Sequence, residues 1–316
     1  MASKIGRREF LSRTAKLGAG AVLGERILSG MAGGPAAARA AGDPGLAVVS
    51  GTDYAAMTAK AVEIVGGISA YVPKGARVLL MPNVQSKNPG TFTKPEILRA
   101  AIKMCKAAGA KEIACLSYLT QPYWDGAGLA QVIRDEGAVL RLIPREDVNF
   151  KAVPVANPAL LKEAMIMNAF YDYDAFINMP VTKDHAGSKF TGSLKNLMGL
   201  NAPSCNRIQF HMPNWQTDPA AIEHLETCIV DLNTVLKPTL NIVDATEIIR
   251  TNGPMGPGEL IKPLKVIAGV DRVAVDSLCA TLLGFKGEDI LMIRKAYERK
   301  LGEIDLKKVN IREAKA

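Results

Sequence analysis

Cysteine, histidine and aromatic side chains are scarce in this 316-residue chain. There are five cysteines and three histidines, and Phe, Tyr and Trp together make up 5% of residues. Cys105, Cys115, Cys205, Cys228 and Cys279 form no C-x-x-C pair, so no iron–sulfur or zinc site can be read from their spacing. Cys105, Cys115 and Cys279 lie in apolar stretches and read as small core residues. Cys205 and Cys228 could pair in an oxidising compartment, but the odd total argues against a disulfide framework. No H-E-x-x-H, serine elbow or dinucleotide fingerprint is present, so no metal ligands and no named cofactor follow from the residues. Gly187 and Gly192 have the spacing of a phosphate-cradling P-loop, but Ser193 stands where its lysine belongs, so an NTPase is excluded. No apolar run reaches the length of a stable membrane anchor.

The formal charge is +8, but it is unevenly placed. Residues 1–40 hold seven Lys or Arg against two Asp or Glu, so residues 41–316 stand at only +3. Nucleic acid therefore loses its main electrostatic argument as a partner. The tail itself looks like a twin-arginine export signal. Gly6-Arg7-Arg8-Glu9-Phe10-Leu11 is followed by a weakly apolar stretch, then by small residues at Ala38-Arg39-Ala40. Glu25 and Arg26 interrupt the apolar segment, and a basic tail is the alternative reading. The expectation is cleavage near Ala41 and a periplasmic or otherwise exported protein, with the twin-arginine machinery as a partner. Residues 41–316 then form one α/β domain, or two intimate lobes divided near residue 150.

Strand and helix patterns alternate along that domain. Strands are expected at Leu46–Ser50, Ala76–Met81, Ile113–Leu116, Ala138–Ile143, Leu240–Val243 and Leu264–Ala268, with another ending at Ala175-Phe176-Ile177. Asp53 and Asp271 can cap helices, and Pro95 and Pro219 sit where proline opens one. Asp125 or Gly126 is expected to lead a helix to Glu136. This pattern argues for a doubly wound, mostly parallel sheet with helices on both faces. Residues 162–167 fit either strand or helix, 201–218 read as a long loop or lid, and 307–316 as a peripheral strand or a disordered tail.

The uncommon chemistry gathers in one stretch, Ala175 to Leu200. A buried strand runs into Asn178-Met179-Pro180, and a polar loop then carries Lys183, Asp184, His185 and Lys189. Thr191-Gly192-Ser193 starts a short helix, with Ser193 as the expected N-cap and Lys195 in the first turn. One reading is an anion site. The helix start offers N–H groups, Thr191 and Ser193 offer hydroxyls, Gly192 admits a ligand to the backbone, and a bound anion offsets the misplaced Lys195. The other reading is a capped surface helix with solvated lysines. His185 is a candidate acid or base. Asp244 at a strand end could serve a ligand or cap its own turn. Asp276 sits on an apolar helix and needs a partner, either Lys183 or Lys195 or, on its own helix, Arg272. His224, beside Glu223 and Glu226, reads as solvated, and His211 as a lid residue.

Asn178-Met179-Pro180, Lys183-Asp184-His185 and Thr191-Gly192-Ser193-Leu194-Lys195-Asn196-Leu197-Met198-Gly199 resemble the signature of the family called domain of unknown function 362. Met81-Pro82-Asn83, Asp244-Ala245 with Gly253-Pro254-Met255-Gly256, and Ala268 to Asp276 agree with it. Met81 departs from the pattern, since a lysine often stands there. The resemblance implies an α/β fold and a site more than a reaction. Some relatives carry a ferredoxin-like domain, for which this chain has no cysteine pattern. Two functions therefore stay open. One is an enzyme or binding protein for a small anionic ligand or cofactor, with acid/base or redox-linked chemistry. Its expected groups are Lys183, His185 and Asp276 for chemistry, with Asn83, Thr191, Gly192, Ser193, Lys195, Asn196, Asp244 and Gly253 for binding. The other is a non-catalytic accessory protein with an exported redox partner.

Overall fold

The computed structural model describes residues 45–316. The export-signal residues 1–40 lie outside them. In chain order, β1 is Leu46–Ser50 and α1 is Tyr54–Ile64, capped by Asp53, whose carboxylate accepts the Ala56 N–H at 2.9 Å. The strand β2, Arg77–Pro82, precedes α2, Pro95–Ala107, which has proline in its first turn. Next come β3, Glu112–Ser117, α3, Gln121–Gly126, and α4, Leu129–Asp135. The single helix expected to run to Glu136 is thus two. Gly128, at φ 72°, takes the left-handed turn between them.

The strand β4 is Val139–Leu142. The ambiguous residues 162–167 resolve as strand: β5, Phe150–Pro154, and β6, Glu163–Met167, pair antiparallel in a separate ribbon. Then follow β7, Ala175–Met179, and the short helices α5, Ser193–Asn196, and α6, Pro203–Cys205. The long α7, Pro219–Val235, leads to β8, Leu240–Ala245. The pair β9, Ile248–Ile249, and β10, Leu260–Ile261, forms a small ribbon. Last come β11, Lys265–Gly269, α8, Arg272–Thr281, α9, Leu291–Glu298, and β12, Ile311–Lys315. The tail is therefore an edge strand, parallel to β1.

The main sheet has eight strands in the order β12-β1-β11-β8-β7-β2-β3-β4. The run from β8 to β4 is parallel throughout, and only β11 opposes its neighbours. From β2 the chain winds outward through β3 and β4; from β7 it winds the other way through β8. The order therefore reverses between β2 and β7, and in open sheets a ligand crevice forms beyond the carboxyl ends of strands at such a point.

Alternation along the strands gives each face its character. One face is apolar: Val78, Leu80, Ile113, Cys115, Ile177, Ile242 and Val266 pack with Ile97, Leu98, Ile102, Leu129 and Ile133 of the covering helices. Burying each large aliphatic side chain of this kind stabilises the fold by about 1.5–3 kcal/mol. The opposite face, covered by α5, α7 and α8, includes Asn178 and Asn241 at zero exposure. Buried amides are tolerated only when hydrogen-bonded, and here they are. Asn241 Nδ2 donates to Gly269 O at 3.1 Å, and Asn178 Nδ2 donates to Asn241 Oδ1 and Ser193 O, both at 3.0 Å. Among the described residues no helix is long and apolar enough to cross a membrane. All five cysteines are buried free thiols, so Cys205 and Cys228 are not bridged.

Candidate functional site

The segments leaving β2, β3 and β7 meet at the switch point and enclose a cavity of about 380 Å³. Asn83 and Gln85 come from the first, Ser117, Tyr118 and Leu119 from the second, and His185, Thr191, Lys195 and Asn196 from the third. Residues 201–218 close it with Asn206, His211, Trp215 and Gln216, and Pro254 and Met255 add a further wall. Met81, Leu116, Trp124 and Met198 make much of the lining apolar.

The loop after β7 is fixed by its own ladder. Thr191 N–H donates to Lys183 O at 2.9 Å, and Lys183 N–H returns a bond to Thr191 O at 3.3 Å. Asp184 anchors it further, because its carboxylate accepts the Gly253 N–H at 2.8 Å. That closed loop buries Lys183 completely. Lys183 Nζ donates to Asn83 Oδ1 at 2.9 Å and to Thr91 O at 2.7 Å. Burial, and then the charge of Lys195, push it down to about 7. Asn83 Nδ2 donates to Asn196 Oδ1, and Asn196 Nδ2 to Asn178 Oδ1, at 2.9 and 2.8 Å. With the bonds of Asn178 and Asn241 above, a single file of donors runs from Lys183 through four asparagines to the Gly269 carbonyl. Every amide in it presents its oxygen toward the lysine end, an orientation that suits a cation there.

Lys195 is a different kind of lysine. It lines the cavity at 9% exposure. Its Nζ approaches only the Met198 thioether, at 3.8 Å, and no carboxylate among the described residues lies within ion-pair distance. Burial lowers its pKa to about 8, against an upward pull from Glu226. Glu226 itself is buried on α7, and burial raises it to about 7. Thr191 lines the same cavity, and its Oγ1 is buried without a hydrogen-bond partner among the described residues.

His185 is 3% exposed, with its ring 5.3 Å from that of Trp215. Its Nδ1 lies 2.9 Å from Ala186 O. A carbonyl only accepts, so Nδ1 carries the proton and Nε2 keeps a lone pair. Burial, and then Lys195, hold its pKa far below the usual imidazole range, so the ring is neutral. His211 repeats the arrangement: Nδ1 is 2.8 Å from Asn206 O and the ring packs edge-on against Trp215 at 4.9 Å.

Several expectations change. The start of α5 is not open to a ligand. Asp276, fully buried, accepts the Ser193 N–H at 2.6 Å and the Leu194 N–H at 2.9 Å. The protein's own carboxylate fills the place read as an anion site, and neither a lysine nor Arg272 is its hydrogen-bond partner. Arg272 instead donates to Leu236 O and Asn233 O, at 2.8 and 2.7 Å. Ser193 is the first helical residue rather than the cap, which is Gly192. A Cβ on Gly192 would stand 2.4 Å from Asp276 Oδ1 and 2.5 Å from the Phe190 ring, so the glycine admits those groups and not a ligand. Asp244 takes its turn-capping reading, since its carboxylate accepts Thr246 N–H and Oγ1–H and the Lys94 N–H. Gly253 lies against the Asp184 carbonyl, while its neighbours Pro254 and Met255 reach the cavity. Lys183 and Asp276 support the site from behind; Asn83, His185, Thr191, Lys195 and Asn196 line it.

His211, read as a lid residue in the 201–218 loop, lines the cavity together with Trp215 of the same loop. Sequence reasoning passed over the contributions of Trp124 and Glu226. His224, read as solvated, is half-buried, and its Nε2 lies 2.7 Å from Gln209 O.

Among solved structures, the lactate racemase apoprotein from Thermoanaerobacterium thermosaccharolyticum aligns at TM-score 0.46 and 13% identity, over 74% of this chain and 56% of that one. A protein from Thermotoga maritima aligns at TM-score 0.42 and 14% identity, over 79% and 60% of the two chains. In sequence, the chain is 29% identical over 207 residues to the thylakoid-associated protein sll1697 of Synechocystis, covering 61% of this chain and 59% of the relative's length. The family model described as domain of unknown function (DUF362) matches residues 78–281, which take in β2 from its second residue, every strand from β3 to β11 and every residue assigned above to the cavity, and the chain belongs to that family.

Proposed function

We propose that the cavity binds a small anionic molecule with an apolar or aromatic body, held by Lys195 and Thr191, with His185 as a neutral hydrogen-bonding group in the wall. The observation that carries this reading is Lys195, a buried amine with no ion pair that faces a cavity. A buried charge without a partner is costly, and a ligand anion would supply the partner. Thr191, in the wall of the same cavity, carries a hydroxyl with no hydrogen-bond partner among the described residues. His185, held neutral by burial, keeps a lone pair on Nε2 that can accept a hydrogen bond from the ligand. Trp124, Trp215 and Met81 suit an apolar body.

A ligand that binds only the folded state stabilises it by mass action, by about 2.7 kcal/mol at 100 times its Kd. A thermal-shift screen of phosphates, nucleotides, sulfate and small carboxylates should give at least one clear stabiliser. Lys195→Met should abolish that shift without lowering the unliganded melting temperature, because it replaces a desolvated cation with an apolar chain of similar length. If no anion shifts the wild type, or if Lys195→Met keeps the full shift, the reading fails.

A further inference from the structure

We infer that Lys195 is a covalent residue: its amine condenses with the carbonyl of a small 2-oxo acid to form an imine. This rests on the anion-site reading and narrows it to a substrate class. Two lysines sit at this end of the sheet, and the structure treats them differently. Lys183 Nζ is committed to two oxygens and lies behind Asn83. Lys195 Nζ has no oxygen partner among the described residues, only a thioether at 3.8 Å. Lys183 is thereby occupied by fixed oxygens of the protein, whereas the Lys195 amine is left open to a ligand. Lys195 shares its cavity wall with Met198, Met81 and Leu116, which solvate an ammonium poorly. An apolar pocket that favours the neutral amine makes a lysine nucleophilic, and the lowered pKa of about 8 agrees.

The step balances with the lysine and solvent alone. The ammonium releases a proton to water, because His185, held far below the usual imidazole range, is too weak a base to take it. The free amine then attacks the carbonyl carbon. A C–N bond forms, and the carbonyl π pair moves to oxygen, which takes up a proton to give a carbinolamine. The C–O bond breaks next. Its hydroxyl leaves as water with the proton returned from solvent, and the nitrogen lone pair forms the C=N bond. Ammonium plus ketone thus becomes iminium plus water, with no net change in charge and no oxidant or reductant. In this scheme the hydroxyl of Thr191, unpartnered among the described residues, is the donor for the substrate carboxylate, which the cationic iminium nitrogen also attracts.

The test uses the whole protein with glyoxylate, 2-oxobutyrate and phenylpyruvate, which span the cavity's size, each with sodium cyanoborohydride to trap an imine. Intact mass should show one adduct per chain with at least one of them, and peptide mapping should place it on Lys195. Lys195→Arg keeps the charge and should lose at least nine-tenths of the adduct. It should keep a thermal shift with 2-hydroxybutyrate, which has no ketone. The inference is overturned if none of the three acids gives an adduct, or if labelling is spread over exposed lysines and is unchanged in Lys195→Arg. If hydroxy or simple acids stabilise the wild type while no adduct forms, the anion site stands and the imine falls. If neither occurs, both fall.

Discussion

Asp276→Ala tests the most consequential placement in the site, the filling of a helix start by the protein's own carboxylate. Alanine removes the acceptor of two N–H groups, those of Ser193 and Leu194. Both residues and Asp276 itself are at zero exposure, so water has no ready route to replace it. Each buried donor left unsatisfied costs about 1–3 kcal/mol, which gives about 2–6 kcal/mol for the pair. The cost should depend on pH. Burial raises the Asp276 pKa from an ordinary 3.8 to about 7. The folded state therefore holds a proton that the unfolded chain has released. Stability from this source is fully present below about 3.8 and is lost as pH rises through about 7. Between pH 8 and pH 5 the wild type gains about 2.6 kcal/mol from it, and the alanine variant gains none. Urea denaturation at the two pH values, with equal m-values, measures both quantities. A cost below about 1 kcal/mol at pH 5, or a larger cost at pH 8 than at pH 5, would refute the reasoning.

Gly192→Ala should destabilise by about 1–3 kcal/mol through overpacking, because the new Cβ meets Asp276 Oδ1 and the Phe190 ring. The glycine's φ is −157°, an extended conformation open to any residue, so a neutral result in a melting experiment would mean that Asp276 and Phe190 can yield. His185→Phe keeps the packing on Trp215 but removes a group held neutral well below its ordinary pKa. Stability tied to that neutral ring is present above about pH 6.5 and is lost as pH falls, by about 2.7 kcal/mol at pH 4.5. The wild type should therefore lose that much more than the variant over this range, and equal slopes would show that His185 is not buried neutral.

How much of this was legible in the sequence differs by level. The strand–helix alternation and the caps at Asp53 and Asp271 rest on local chemistry, and they reappear as read. The Asn83, Ser117–Leu119 and Lys183–Lys195 segments gather on one rim because parallel strands put their exits on the same side. The role of α5 was misread because a local signature of small polar residues before a helix looks the same whether its N–H groups face solvent or a carboxylate 83 positions away. The identity of that partner is a property of the packing between α5 and α8. Glu226 was hidden for a related reason: residues 225–233 of α7 are all buried, so no polar face distinguishes its charge from a solvated one. The amide file was equally invisible, since Asn83, Asn178, Asn196 and Asn241 become neighbours only when β2, β7 and β8 align.

The arrangement of buried charge explains why one lysine, and not the other, is available to a ligand. Lys183, Lys195, Glu226 and Asp276 are all at or below 9% exposure, and among the described residues none of them makes an ion pair. Direct pairing would neutralise each cation and leave nothing for a substrate. Instead Asp276 is spent on helix amides and Lys183 on Asn83 and Thr91. These neutral partners satisfy hydrogen bonds while leaving the charges spatially separate. Glu226 acts on Lys195 only at a distance, which tempers the loss of its proton without occupying its Nζ. The consequence is an amine whose electrostatic environment is set by the fold but whose bonding capacity is unfilled. In a close-packed interior that condition is expensive to maintain, and it occurs here at the one place where the sheet's topology opens a cavity.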